Sequence, residues 1–240
     1  MEGRFRIGTS GWIYKHWRGV FYPEGLAQGK WLEHYGLRFD TVECNATFYR
    51  LPQEKTFSNW KERTPEGFCW TLKAPRVITH YRKLRDVAEP LKNFLLRARL
   101  LGAKLGPVLF QLPPNLHYDA GLFDDFAALL GEVRLPVVEV RHGSWLCDRF
   151  FSQLQARSIA FCISDTAGRY PYHEAVTAPF VYIRLHGSRK LYASRYTESE
   201  LDRWAEKILG WNLPTYVYFD NDFEGHAVMN AQELKARLGR

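Results

Sequence analysis

Eight short apolar, β-branched runs recur along the chain, and each breaks off into polar or charged side chains, as where Val137-Val138 gives way to Glu139-Val140-Arg141-His142-Gly143-Ser144-Trp145. The runs are Phe5 to Thr9, Thr41 to Cys44, Phe68 to Leu72, Val108 to Gln111, Val137 to Val140, Ile159 to Ile163, Phe180 to Leu185 and Tyr216 to Phe219. Their length and composition read as buried strands. Between them, apolar residues recur at helical spacing: Leu91, Phe94, Leu95, Ala98 and Leu101; Leu122, Phe123, Phe126, Leu129 and Leu130; Leu201, Trp204, Ala205 and Ile208; Ala227, Val228, Ala231 and Leu234. Strand and helix alternating through 240 residues predict one α/β domain, a TIM-type (β/α)8 barrel, for which about 250 residues are usual. The interval from Asp165 to Pro179 carries Gly168, Pro171 and Pro179 without a helical period. The barrel is therefore expected to be irregular around its sixth helix.

Alternating strands and helices also build doubly wound open sheets. Here, however, no strand leads into Gly-x-Gly-x-x-Gly, and Gly8-Thr9-Ser10-Gly11 lacks the lysine and spacing of a P-loop. Nor is that string a nucleophile elbow, because the glycine after Ser10 comes one residue too soon. No apolar stretch approaches the roughly 18 residues of a membrane helix. The amino-terminal Met1-Glu2-Gly3-Arg4-Phe5-Arg6 lacks the apolar segment of a secretory signal, so a cytoplasmic protein is expected. Cys44, Cys69, Cys147 and Cys162 show no paired spacing of the kind that zinc or redox motifs use, and read as small apolar filler.

In a barrel of this kind the loops after the strands surround one mouth. The first strand delivers Ser10, Trp12 and Tyr14, and the second Glu43 and Asn45, followed by Tyr49. Lys73 ends the third and Gln111 the fourth; the fifth gives Glu139 and Arg141 with Ser144 and Trp145 beyond, and the sixth Asp165. Arg184 and His186 end the seventh, and Asp220, Asn221 and Asp222 the eighth.

The strings Gly8-Thr9-Ser10-Gly11-Trp12, Glu43-Cys44-Asn45-Ala46-Thr47-Phe48-Tyr49, Phe110-Gln111-Leu112-Pro113-Pro114, Glu139-Val140-Arg141-His142-Gly143-Ser144-Trp145 and Tyr182-Ile183-Arg184-Leu185-His186-Gly187 resemble the YecE-like family, domain of unknown function 72. The resemblance spans nearly the whole chain. It implies a TIM-type barrel with these strings at its mouth and no established reaction. One departure bears on ligand preference: the family's last strand usually ends in Phe-Asn-Asn, where this chain reads Phe219-Asp220-Asn221.

Glu43 and Glu139 have the chemistry of paired carboxylates for acid/base or glycosidic work. The competing reading is an internal salt-bridge lattice with Lys73, Arg141 and Arg184, since buried charges are costly unless paired. Glu43, Glu139, Asp165, His186 and Asp220 also offer ligands for a divalent cation, although three bases nearby would oppose one. No metal or other cofactor is assigned from the sequence. Ser10 and Ser144 have no histidine and acid at diagnostic spacing.

The net charge of +7 is unevenly spread. Three loops expected at the mouth, Ser10 to Tyr22, Lys73 to Arg85 and Arg184 to Tyr196, hold eleven basic residues and no acid. Interleaved aromatics such as Trp17, Tyr81, Tyr192 and Tyr196 would suit stacking on bases or sugars. An anionic, phosphate-bearing small molecule or a nucleic acid is therefore the expected partner.

The expected ligand contacts are Trp12, Tyr14, Asn45, Tyr49, Lys73, Gln111, Arg141, Trp145, Arg184, Asp220 and Asn221, and the expected rim is Lys15, Arg18, Arg82, Lys83, Arg189, Lys190 and Arg195. If the protein is an enzyme, hydrolysis of a phosphoester or glycosidic bond is favoured, with Glu43 or Glu139 as general acid or base and His186 as a second proton carrier. Lys73, Arg141 and Arg184 would then steady developing negative charge. The alternatives are a noncatalytic nucleic-acid or nucleotide-binding module and a metal-dependent barrel endonuclease or isomerase.

Overall fold

Eight parallel strands pair in the order β1-β8-β7-β6-β5-β4-β3-β2 in a computed structural model that describes residues 4–239. Residues 1–3, which open the segment read above for a secretory signal, and residue 240 lie outside the described part. The strands are β1 (Phe5–Thr9), β2 (Thr41–Cys44), β3 (Cys69–Lys73), β4 (Leu105–Gln111), β5 (Pro136–Glu139), β6 (Ala160–Asp165), β7 (Val181–Leu185) and β8 (Thr215–Phe219). The two ends of the sheet meet where Ser10 bridges Glu43, with the Gly11 amide donating to the Glu43 carbonyl at 2.8 Å. The result is the expected α/β barrel.

Gly8 permits that closure, because a Cβ there would lie 2.3 Å from the Thr41 carbonyl oxygen. The sequence reading started β4 at Val108, three residues late, since Gly106 and Pro107 look like a loop. Gly106 instead sits at a register shift between Trp70 and Leu72 of β3, where a Cβ would strike Cys69 Sγ.

The helices are α1 (Trp31–Gly36), α2 (Ala46–Tyr49), α3 (Glu54–Glu62), α4 (Ala88–Ala98), α5 (Ala120–Leu129), α6 (Asp148–Ala156), α7 (Glu198–Trp211) and α8 (His226–Arg237). The four with a clear apolar recurrence, α4, α5, α7 and α8, were legible. In α3 only Phe57 and Trp60 are buried, too few to repeat. No helix joins β6 to β7, as Gly168, Pro171 and Pro179 foretold. Among the described residues no helix is long and apolar enough to cross a membrane.

Alternation along each strand sorts two cores. Val181, Ile183 and Leu185 of β7 pack outward with the helices, whereas Tyr182 belongs with Leu109, Val137, Ala160, Cys162 and Tyr218 inside the barrel. The Tyr218 hydroxyl shares hydrogen bonds of 2.7 Å with both Thr41 and Thr71, which makes a polar floor. The next inward positions toward the strand ends are Glu43, Lys73, Gln111, Glu139 and Arg184, so period two alone delivers these five to one level. Cys44, Cys69 and Cys162 are buried on strands, and Cys147 lies at the start of α6.

Candidate functional site

Arg184 occupies the centre of the mouth floor, 1% exposed. Its Nη2 donates to Glu43 at 2.8 Å and to Asp220 at 3.1 Å, its Nη1 donates to Glu139 at 2.9 Å, and its Nε also donates to Glu43 at 3.0 Å. Burial works against the charged guanidinium, but the three carboxylates outweigh it and hold the pKa above the usual arginine range. One cation thus ties the strand ends of β2, β5, β7 and β8 together.

Each acid is further saturated. Glu43 accepts from Tyr182 Oη at 2.5 Å and from Ser10 Oγ, which in turn accepts from Asn45 Nδ2 at 2.8 Å. Glu139 accepts two bonds of 3.0 Å from Gln111 Nε2 and one of 3.1 Å from Arg141 Nε. Burial alone would raise the Glu139 pKa, but the charges of Arg184 and Arg141, with smaller help from His186 and Lys73, pull it well below the usual carboxylate range. Asp220 is also lowered: its burial is outweighed by His186 and Arg184.

His186 is sealed, 0% exposed. Arg184 Nη1 lies 3.2 Å from its Nε2, and the other ring nitrogen is Nδ1. That atom lies 2.9 Å from Asp220 Oδ2 but off the line of a good hydrogen bond. Glu43, Glu139 and His186, the three proton carriers expected from sequence, therefore lie in one buried network below the open mouth, in which both carboxylates are saturated and His186 Nδ1 is not. A ligand entering from solvent reaches other groups first.

Lys73 is the exception among the buried charges. Its Nζ has no hydrogen bond and no carboxylate within ion-pair distance among the described residues, so the lattice expected from sequence forms without it. The ammonium rests 4.4 Å from the Phe48 ring centre, and the Lys73 carbonyl is pinned by Thr47 Oγ1 at 2.7 Å. Burial first, then the charge of Arg184, lowers its pKa to about 8, against weaker opposition from Glu139 and Glu43. The Nζ is not one of the sealed, unpartnered polar atoms, so its tip remains within reach of solvent.

Of the groups at the mouth beside this network, His80 and Tyr170 were missed by the sequence reading, whereas Tyr192 and Tyr14 were named by it. His80, in the helical turn Val77–Tyr81 after β3, packs on Phe48 at 4.9 Å and is held neutral, its pKa lowered to about 4 by burial and by Lys73 and Arg141. Strand-end counting passed over it because it lies seven residues beyond β3. Tyr170 stacks under the Arg141 guanidinium at 4.4 Å, from the helix-free β6–β7 connection. Tyr192 has φ of 62°, a left-handed backbone rare for an aromatic residue, and its ring meets His186 edge-on at 5.4 Å. Tyr14 caps the other side, donating to the Ser10 carbonyl at 2.6 Å.

Three expected ligand contacts point elsewhere. Trp145 is fully buried among Phe123 and Phe150, with its indole nitrogen donating to the Leu116 carbonyl at 2.7 Å. Trp12 packs edge-on against Trp60 and Trp70 in the outer core. Asn221 donates to the Ser194 carbonyl and to Asn230, tying the β7 and β8 loops together. Tyr49 stands exposed at the rim. Asp165 accepts from Tyr196 at 2.8 Å and lines a separate cleft with Glu200 and Trp204. Among the described residues no group of three His, Cys, Asp or Glu side chains is arranged to hold a metal ion, and Arg184 fills the space between the carboxylates. The metal-dependent reading loses the donor set on which it rested.

The rim also differs from expectation. Strand order places the β8 loop between those of β1 and β7, and it brings Asp222 and Glu224 beside His16 in a cavity of 670 Å³. Arg195 is paired with Glu233, and Arg82 donates to the Asp86 carbonyl. Arg184 and Lys73 lie inside, not on the rim. Lys15, Arg18, Lys83, Arg189 and Lys190 stay on the loops, but Arg189 and Lys190 are cut off from the others by the acidic β8 loop. A cationic arc runs over the adjacent β1, β2 and β3 loops, which also carry Glu24 and Asp86, with Arg50 added and with Tyr49 and Tyr81 exposed by 65% and 64%.

An eight-stranded α/β barrel, with a sealed arginine–carboxylate lattice beneath a mouth that holds one unpaired amine, is the class that fold and site define. The chain belongs to the family described as Protein of unknown function DUF72, which it matches over residues 6–240. It is 27% identical over 239 residues to UPF0759 protein YecE of Escherichia coli (strain K12), across 88% of this chain and 84% of that protein. UPF0759 protein YunF of Bacillus subtilis (strain 168) is 25% identical over 267 residues, across 95% and 92% of the two chains. The crystal structure of a DUF72 family protein from Thermotoga maritima superposes with a TM-score of 0.88 at 29% identity, covering 98% of this chain and 99% of that one.

Proposed function

We propose that the protein binds a phosphate-bearing ligand in the C-terminal mouth of its barrel, with Lys73 as the central cation. The observation that carries this reading is the ammonium's isolation: a buried positive charge without a counter-ion is costly, and a bound anion would supply what the fold withholds. Arg141, stacked on Tyr170 and 12% exposed, stands ready as a second contact. Glu43, Glu139 and Asp220 serve as fixed counter-charges to Arg184. Ionised near neutral pH, Glu139 has no proton to give, which argues against its acting as a general acid.

A nucleic acid is a second source of the same phosphate chemistry, favoured by the exposed Tyr49 and Tyr81 beside the cationic arc. Thermal melting in rising inorganic phosphate tests the core of the proposal. A saturable stabilisation that disappears in Lys73→Met supports it; equal responses of the two proteins count against it, because phosphate also stabilises proteins generally by exclusion from their surface.

A further inference from the structure

We propose that the Lys73 side chain is an amine nucleophile, and that the ligand of this mouth is a carbonyl compound with which it forms an imine. The inference rests on the phosphate-binding reading for the anionic half of the substrate and goes beyond it by naming the reactive half.

The geometry is that of an amine kept from every partner that would occupy its lone pair or lock its proton. Acids are plentiful nearby, yet Arg184 and Arg141 take all of their hydrogen bonds that the structure records from charged groups. The charged and titratable groups facing Lys73 are Glu43 of β2, His80 after β3, Glu139 and Arg141 at the end of β5, Arg184 of β7 and Asp220 after β8. Burial and two fixed guanidinium charges favour the neutral amine and outweigh the Phe48 ring face, whose cation–π attraction favours the ammonium; burial beside other cations is the combination that activates lysines elsewhere. With the ammonium lowered to about 8, roughly a tenth of Lys73 is free amine at pH 7.

The step balances simply. Neutral Nζ attacks the carbonyl carbon to give a carbinolamine; the carbinolamine oxygen takes up a proton from solvent and leaves as water. The C–O bond breaks, the C=N bond forms, and the product is a protonated imine. No oxidant or reductant is consumed. The iminium nitrogen keeps the positive charge that the ammonium carried, so attraction for the substrate's phosphate survives the reaction.

The test is reductive trapping of the unmodified protein with glycolaldehyde and cyanoborohydride at pH 7, followed by peptide mass mapping. Lys73 should be alkylated at least about tenfold faster than exposed Lys55, and its rate should rise to a plateau as pH passes about 8. Labelling of Lys73 no faster than Lys55 would overturn the inference. Because glycolaldehyde carries no phosphate, this arm stands apart from the binding proposal. A parallel series with glycolaldehyde phosphate should saturate at lower concentration; if both aldehydes show the same concentration dependence, the phosphate reading fails while the imine stands.

Discussion

A lysine with no counter-ion inside a barrel mouth destabilises the fold that contains it. Lowering its pKa from 10.5 to about 8 corresponds to on the order of 3 kcal/mol at pH 7, where both folded and unfolded chains carry the proton. Lys73→Met should therefore raise the stability of the free protein at pH 7 by up to that amount, while abolishing phosphate binding. Between about 8 and 10.5 the unfolded chain holds a proton that the folded chain has released, so this residue's contribution to stability increases with pH across that window. Urea unfolding of both proteins at pH 7 and pH 10 measures the difference; a Lys73→Met protein less stable at pH 7 would mean that the amine is structurally engaged. Glu139 has the opposite sign. Its folded pKa is depressed, so its contribution is complete above about 4.5 and is lost as pH falls below it. Glu139→Gln leaves Arg184 short of a buried counter-charge and should cost about 3–5 kcal/mol, read from the urea midpoint at pH 7. An unchanged midpoint would remove Glu139 from the lattice.

At the scale of elements, the barrel was legible because strands buried on both faces read as apolar runs, and the site was legible because alternation carries the last inward residue of each strand to one level. Glu43, Lys73, Gln111, Glu139, Arg184 and Asp220 all follow from counting in twos. Loops obey no such rule. His80 and Tyr170 reach the mouth from turns whose paths depend on left-handed residues and local packing, and Trp145, five residues beyond Val140, turns back into the aromatic core. The isolation of Lys73 is equally invisible in sequence, since it depends on how two arginines divide the acids among themselves. Closure of the barrel rests on one close approach: Gly8→Ala would push a methyl into the Thr41 carbonyl and the Tyr35 hydroxyl. Overpacking of that kind should cost about 1–3 kcal/mol. Urea denaturation checks it, and a neutral result would show that β1 and β2 separate easily.

For the whole molecule, the basic excess divides into an arc on the β1, β2 and β3 loops and a separate patch on the β7 loop, parted by the acids of the β8 loop. If single-stranded nucleic acid uses the arc, binding should weaken with salt at a slope of about −0.7 per phosphate contacted. Changing Arg50, Arg82 and Lys83 together to alanine should then flatten the slope, and changing Arg189 and Lys190 should alter it less. Fluorescence anisotropy of a labelled oligonucleotide distinguishes the two; equal effects would restore one continuous rim.

The most direct measurement is calorimetric titration of inorganic phosphate into the unmodified protein and into Lys73→Met at pH 7 and matched ionic strength. One-to-one binding that is present in the first and lost in the second is the predicted result. Indistinguishable titrations, whether both bind or neither does, would contradict the assignment of the mouth as a phosphate site centred on Lys73.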